Sequence, residues 1–327
     1  MSFIHVPLAK LELLDRWEPP QFNAAHKRAM GSGLPLRDII LVLGVVTIWG
    51  VSFSVVKVGL CELPPIFFIA SRFLIVAVPA VFFVPFPKTS IWSVLAVGLL
   101  IGVIKFGLLF IAMNTDANAG VASLVLQAQI FFTIALSYLV LGETITRRQV
   151  AGIALAVLGF LFFFGSAGDN ITVLGLFLIG IAAFAWALAN LVMKRMPQVN
   201  LLHFMIWVSL VPVAPLIVVS FMTETTQPLS LLFDISFKAW LAIGYMGYMS
   251  TLVAYAWWGK LLSRHSASLV TPFALLIPVV GLTSSALWLG ESLSIWEASG
   301  AGLIMLGLLV SVLSSNTTTS EREGERS

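Results

Sequence analysis

LGETITRRQVAGIALAVLG at 141–159 is echoed by LGESLSIWEASGAGLIMLG at 289–307. Each stretch opens on the same Leu-Gly-Glu and continues into an apolar run carrying glycines. The echo reaches further along the chain. Lys57 follows Trp49 by the same interval as Lys194 follows Trp186, and each pair closes the opening hydrophobic span of one half. Such self-similarity predicts a duplicated helical bundle whose working parts lie between its halves, not in an enzyme's cleft.

Composition narrows the class. Of 327 residues, 59% are hydrophobic and only 10% charged, and mean hydropathy is +1.02. That balance belongs to an all-α integral membrane protein crossing the bilayer many times. The net charge of +3 does not indicate nucleic-acid binding, because the cations stand at the ends of apolar spans and no basic run interleaves aromatics. One cysteine, Cys61, excludes an internal disulfide, and the four histidines lack metal-ligand spacing. Neither a metal nor a cofactor is expected. The polar start lacks a short apolar core with a cleavage site, so the first span reads as a retained anchor.

Ten helices are predicted at 37–59, 65–86, 91–114, 119–141, 147–165, 172–194, 201–222, 238–260, 267–290 and 294–314, each about 20 residues, enough for a ~30 Å hydrocarbon core. They group into a first repeat over 36–165 and a second over 172–314. These are flanked by a polar cytoplasmic tail at 1–35 and a disordered one at 315–327. The connection 223–237 has apolar residues suited to lie along the membrane surface. Of the 18 Lys and Arg, 14 fall on the side of the N-terminus, only Lys57 and Lys238 on the other, and Arg72 and Lys105 inside spans. Both termini are therefore expected in the cytoplasm. With five helices per half, the second repeat enters the membrane upside down, an inverted repeat suited to alternating access. Thr146/Gln149 and Ser294/Glu297 fit capping boxes, and Gly152, Gly159, Gly300 and Gly307 give small faces for close helix contact.

The opening Trp49-Gly50 with Lys57, the Arg72-Phe73 pair and the twin Leu-Gly-Glu turns resemble the drug/metabolite transporter superfamily, in its branch with two EamA domains. ASLVLQAQIFFTIALSYLVLGE (122–143) and PFALLIPVVGLTSSALWLGE (272–291) are similar to its O-acetylserine/cysteine exporter subgroup. The resemblance covers about 36–314. It implies a ten-helix bundle in the plasma membrane, the inner membrane in a Gram-negative bacterium, that exports small amino acids or related metabolites on an ion gradient, with proton coupling expected. Ser52 and Lys105 depart from the subgroup, where an amide side chain is expected at each. A drug or nucleotide-sugar carrier of the same superfamily is the alternative reading.

The residues themselves bear on this. All 15 acidic residues fall in tails, loops or span ends, which argues against a carboxylate-rich sodium site and an Asp/Glu proton relay. It also removes the paired aspartates with which a membrane prenyltransferase would hold magnesium diphosphate. An integral membrane enzyme would need clustered acids, histidines or a nucleophile with its base, and the spans supply none, so no catalytic residue is assigned. Arg72, Lys105 and Gln127 lie roughly 10–14 Å deep at ~1.5 Å per residue. Arg72 either bonds a neighbouring helix, snorkels outward or faces the pathway, while Lys105 is too deep for easy snorkelling. Without a buried acid, Lys105 is either neutral when the site is empty or balanced by a cargo carboxylate. Trp49 with Ser52 and Phe53, Ser123 with Gln127, and Trp186 with Asn190 provide the aromatic and polar mixture that packs an aliphatic stem and bonds its polar ends. Gln127 and Asn190 could equally serve interhelical bonds, and Gln129 points almost opposite Gln127. Trp257 and Trp258 read as interfacial belt residues, and Pro278 as a candidate gate where a kink would fall mid-membrane. The glycine faces leave a homodimer open.

Overall fold

The computed structural model describes residues 34–165, 170–196, 199–224, 231 and 234–324; the tail up to residue 33 and most of the 223–237 connection lie outside them. The chain divides into two units at Ile39/Ile40. The described part of the first unit is the opening of the first helix, and all the other described elements belong to the second.

No strand occurs among the described residues, only an isolated bridge between Ala117 and Ile171. The helices are α1 (Leu36–Leu60), α2 (Pro65–Ala80), α3 (Ile91–Thr115), α4 (Ala119–Leu141), α5 (Arg147–Gly165), α6 (Val173–Lys194), α7 (Leu201–Thr223), α8 (237–264), α9 (Thr271–Leu289) and α10 (Ile295–Gly324). Eight of them (α1, α3 to α7, α9, and α10 through Val312) are long and apolar enough to cross a membrane by length and composition. α2 is shorter, with 16 residues. α8 joins three consecutive pieces, Phe237–Gly244, Tyr245–Val253 and Ala254–Arg264.

Two ends differ from the sequence reading. α2 stops at Ala80, not 86: Pro79 lies in its last turn, and Pro85 and Pro87 disfavour helix at the residues before them. The freed carbonyls of Val84 and Pro85 accept from the Trp207 indole on α7. α10 runs on to Gly324 instead of stopping at 314, since no glycine or proline interrupts residues 308–323.

The repeated turns are built from local chemistry. Thr146 and Gln149 bond reciprocally at the start of α5, as do Ser294 and Glu297 at the start of α10, so both capping boxes form. Each preceding helix ends on a left-handed glycine, Gly142 at φ +67° and Gly290 at φ +68°. α5 and α10 then pack along their length. A methyl added to Gly159 would fall 2.7 Å from the Gly300 carbonyl oxygen, and one added to Gly152 would fall 2.5 Å from that of Gly307. The two backbones touch where bulk is absent, the main source of helix association in lipid.

Regular geometry fails at repeated places. α3 widens into a π-helix over Gly98–Lys105 and α8 does so over Tyr245–Val253. α4 breaks at Leu126–Gln127, and α9 begins as a 3-10 segment, Thr271–Leu275, before resuming at Leu276. Pro278 sits in the first turn after that break. The amide it lacks would have bonded Ala274, four residues back, so the irregular turn falls where a proline disturbs a helix.

Gly159→Ala should destabilise the α5–α10 seam by about 1–3 kcal/mol through overpacking, read as a lower melting temperature of the detergent-purified protein. Gly302→Ala, where an added methyl meets nothing within 4 Å, should leave it unchanged. Equal melting of the two variants would contradict this packing.

Candidate functional site

Arg72 and Lys105 are both nearly sealed, 2% and 6% exposed. Arg72 projects from α2, and Lys105 closes the π-helical turn of α3. Phe106 joins them. The Arg72 guanidinium lies 4.3 Å from its ring centroid and the Lys105 ammonium 3.5 Å, so the two charges are no further apart than the sum of those distances. Phe73 lies 4.8 Å from the guanidinium, and Trp186 on α6 lies 4.3 Å from the ammonium. Arg72 Nη2 donates to Thr251 Oγ1 on α8 at 3.1 Å, while its Nε and Nη1 are buried without a hydrogen-bond partner. Arg72 thus neither snorkels nor bonds a backbone carbonyl. Among the described residues, neither cation meets a carboxylate.

Magnitudes decide what this arrangement can do. A ring face contributes about 0.5–1 kcal/mol, up to about 2 when desolvated, whereas a charge at the centre of a span costs at least about 2.5 kcal/mol. The aromatics reduce that cost without neutralising the charge. The arrangement is one that attracts an anionic group.

α8 supplies a second wall that the sequence reading missed. Thr251 Oγ1 donates to Met246 O, five residues back, a bond that the wide π turn makes available. The Trp49 indole donates to Ser250 O, and its ring packs on Tyr255 and Trp258 at centroid distances of 5.3 and 5.4 Å. Tyr245 donates to Ile48 O, to which Ser52 also donates. The signal in the sequence was a run of hydroxyls, Tyr245, Tyr248, Ser250, Thr251 and Tyr255, inside an apolar span. Trp257 and Trp258 are partly buried and pack against buried Val45, Ile48 and Ala254.

The remaining expected residues separate. Gln127 is buried at the break in α4, and its amide has no hydrogen-bond partner among the described residues. Phe53 packs on the main core. Asn190 is not aligned with Gln127: its amide donates to Gln129 Oε1 and Thr133 Oγ1 on α4, an interhelical bond. Ser123 donates to Gly120 O and faces Gly281 of α9. It belongs to a small-residue seam in which Gly120 also faces Ser285, and Ser54 bonds Ser284 at 2.9 Å. The break between Ser123 and Gln127 disrupts the shared face that a continuous helix would give them.

The seam lies at the end of the bundle that bears Glu291. There the Glu291 carboxylate accepts from the Ala119 and Gly120 amides at the start of α4, while Lys57 donates to Met113 O and Ala117 O in the turn before it. Glu224 closes the start of α2 through the Ile66 and Phe67 amides. Glu62 accepts from the Ser236 amide and hydroxyl, which hold its carboxyl below the usual value. At the opposite end, Lys194 donates to Ser137 and pairs with Glu143 at 2.9 Å. α4 and α9 pack through 119–125 and 276–289, towards the Glu291 end. A cleft of about 560 Å³ near the Lys194 end is lined by Leu100 on α3 and Leu188 on α6, close in sequence to Lys105 and Trp186. Another, of about 470 Å³, runs along the seam itself at the Glu291 end, lined by Gly120, Leu282, Ser285 and Glu291 with Asn118 and Asn170.

Comparison with known proteins follows the same halves. The model of the EamA-like transporter family matches residues 36–165 and 173–313. A "Probable amino-acid metabolite efflux pump" of Salmonella typhimurium (strain LT2) is 40% identical over 283 residues, covering 84% of this chain and 95% of that protein. Its namesake in Escherichia coli (strain K12) matches with the same identity and coverage. A solved structure with 17% sequence identity superposes with a TM-score of 0.58 over 86% of this chain and 98% of its own, a likeness of fold.

Glu291→Ala should loosen the start of α4. With Cys61 replaced by serine, a cysteine introduced at Ser285 should react several-fold faster with a water-soluble maleimide when Glu291 is also alanine. An unchanged rate would show that the seam holds without this carboxylate.

Proposed function

The chain belongs to the EamA-like transporter family and is a multi-pass membrane protein, and from this premise we propose that it exports small amino-acid-like metabolites. The observation that carries the proposal is the pair of buried cations, Arg72 and Lys105, at the meeting of α2, α3, α6 and α8, with no carboxylate beside them among the described residues. A cargo carboxylate there gains two charge-assisted bonds in a low-dielectric site. Trp186, Phe106 and Trp49 pack its apolar stem, and the Gln127 amide remains available for a further polar group. The names of the 40% identical relatives agree with amino-acid metabolites as the cargo class.

In this reading the structure is the state closed at the Glu291 end. Cargo enters from the Lys194 end, which the cation asymmetry assigns to the cytoplasm. Opening would require α4 and α9 to part along the Gly120/Ser123–Gly281/Ser285 seam, turning about their breaks at 126–127 and 275–276. Lys105 serves as the coupling group. It holds a proton while the cargo carboxylate is bound and loses it after release outward, with Arg72 beside it and Tyr255 beyond as the neighbouring titratable groups.

Two experiments test this. Reporters fused at 168 and after 314 should read opposite sides of the membrane, the first outside and the second inside; both on one side would overturn the inverted arrangement. In inside-out vesicles, Lys105→Gln, which stays polar but cannot titrate, should retain counterflow of O-acetylserine or cysteine and lose the pH dependence of net export. Wild-type pH dependence in that variant would remove Lys105 from coupling.

A further inference from the structure

The same two cations restrict the charge of the cargo. A zwitterionic amino acid brings an ammonium along with its carboxylate. Arg72 and Lys105 would receive the carboxylate, but the ammonium would enter a site that is already positive. The ring faces best placed to hold it, those of Phe106 and Trp186, already carry Arg72 and Lys105. Among the described residues, the glutamates between the spans are engaged at the ends of the bundle: Glu62, Glu224 and Glu291 on helix starts, Glu143 on Lys194, and Glu297 in its capping box, while Asp116 accepts from Thr115 and Thr172. Thr251 offers a neutral oxygen, which suits an amide N–H better than a full positive charge.

We propose that the Arg72–Lys105 site selects net-anionic carboxylates, whose amine is acylated or absent, over the corresponding zwitterions. This rests on the reading of that site as the cargo site. Lys105, which stands where the resembling exporter subgroup is expected to carry an amide, is then the specificity-determining residue of this chain. With the cargo carboxylate bound and Lys105 holding its proton, a second positive charge beside Arg72 adds attraction for the carboxylate and repulsion for an ammonium, whereas an amide adds neither.

The test uses two isomers of one composition. O-acetylserine keeps its ammonium; in N-acetylserine the same acetyl group sits on nitrogen and leaves the molecule a monoanion. Counterflow of each is measured in proteoliposomes at pH 6, with the isomers checked by chromatography. The wild-type protein should favour N-acetylserine by about tenfold or more in kcat/KM. Lys105→Gln should bring the ratio towards one, and Lys105→Arg should keep it. N-acetylserine should also raise the melting temperature of the purified wild-type protein more than O-acetylserine does, a binding readout independent of turnover. A wild-type preference for O-acetylserine would overturn the charge selection while leaving export of metabolites standing. A preference for N-acetylserine that survives intact in Lys105→Gln would remove Lys105 as its source. If neither isomer moves or binds, both the selection and the cargo reading fail.

Discussion

In a hydrocarbon surround every helix start presents amides that need an acceptor, and here acceptors cross between the halves of the chain. Glu224 and Glu291, from the second half, close α2 and α4 of the first. Glu62, from the first half, holds Ser236, which caps α8 of the second. Each carboxylate meets the positive end of a helix dipole as well as two donors. The same bonds therefore finish the helices and tie the halves together at one end. They also explain why the acidic residues sit at span ends and leave the interior to the cations. Releasing one cap exposes two amides and a carboxylate together, so the seam is expected to open as a unit or not at all.

The cations act in the opposite sense. Arg72 has one hydrogen bond, to Thr251, and two buried nitrogens without partners. Lys105 has ring faces in place of acceptors. A structural arginine in lipid would have its donors satisfied, because unpaired buried donors each cost about 1–3 kcal/mol, more when charged. Strain of this kind persists where binding relieves it, which is why the site is better explained by what it lacks than by what it holds together.

Much of the bundle was legible because its causes are local. Apolar length, the Leu-Gly-Glu turns, the capping boxes and the glycine faces are set by residues within a few positions of one another, and α5 lies where the spacing put it. Long-range causes were less accessible. The end of α2 depends on prolines that also supply acceptors to Trp207, and the break in α4 depends on α9 and α6 gripping its two halves differently. At the site, the depth of Arg72 and Lys105 could be read from the chain, but their shared ring could not. Thr251 reaches Arg72 only because α8 widens into a π turn, and that turn has no reliable local signature. Asn190 shows the converse: a polar residue at pathway depth whose partners, Gln129 and Thr133, lie on another helix.

Duplication gives a further means of separating scaffold from site. The backbone irregularities are repeated: the π segments of α3 and α8 end at Lys105 and Val253, which stand equally far before Glu143 and Glu291, and the breaks in α4 and α9 fall at Gln127 and Leu275, again equivalent. The chemistry is not repeated. Val253 replaces Lys105, Leu275 replaces Gln127, and Ser209 stands as far after Lys194 as Arg72 does after Lys57. Features that recur in both halves serve what both must do, which is to bend and to pack. A cation present once suits something that has only one copy, and in the proposed inverted arrangement that single object is the cargo. The asymmetry of charge within a symmetric backbone therefore supports the proposed binding role of Arg72 and Lys105 more than their burial alone does.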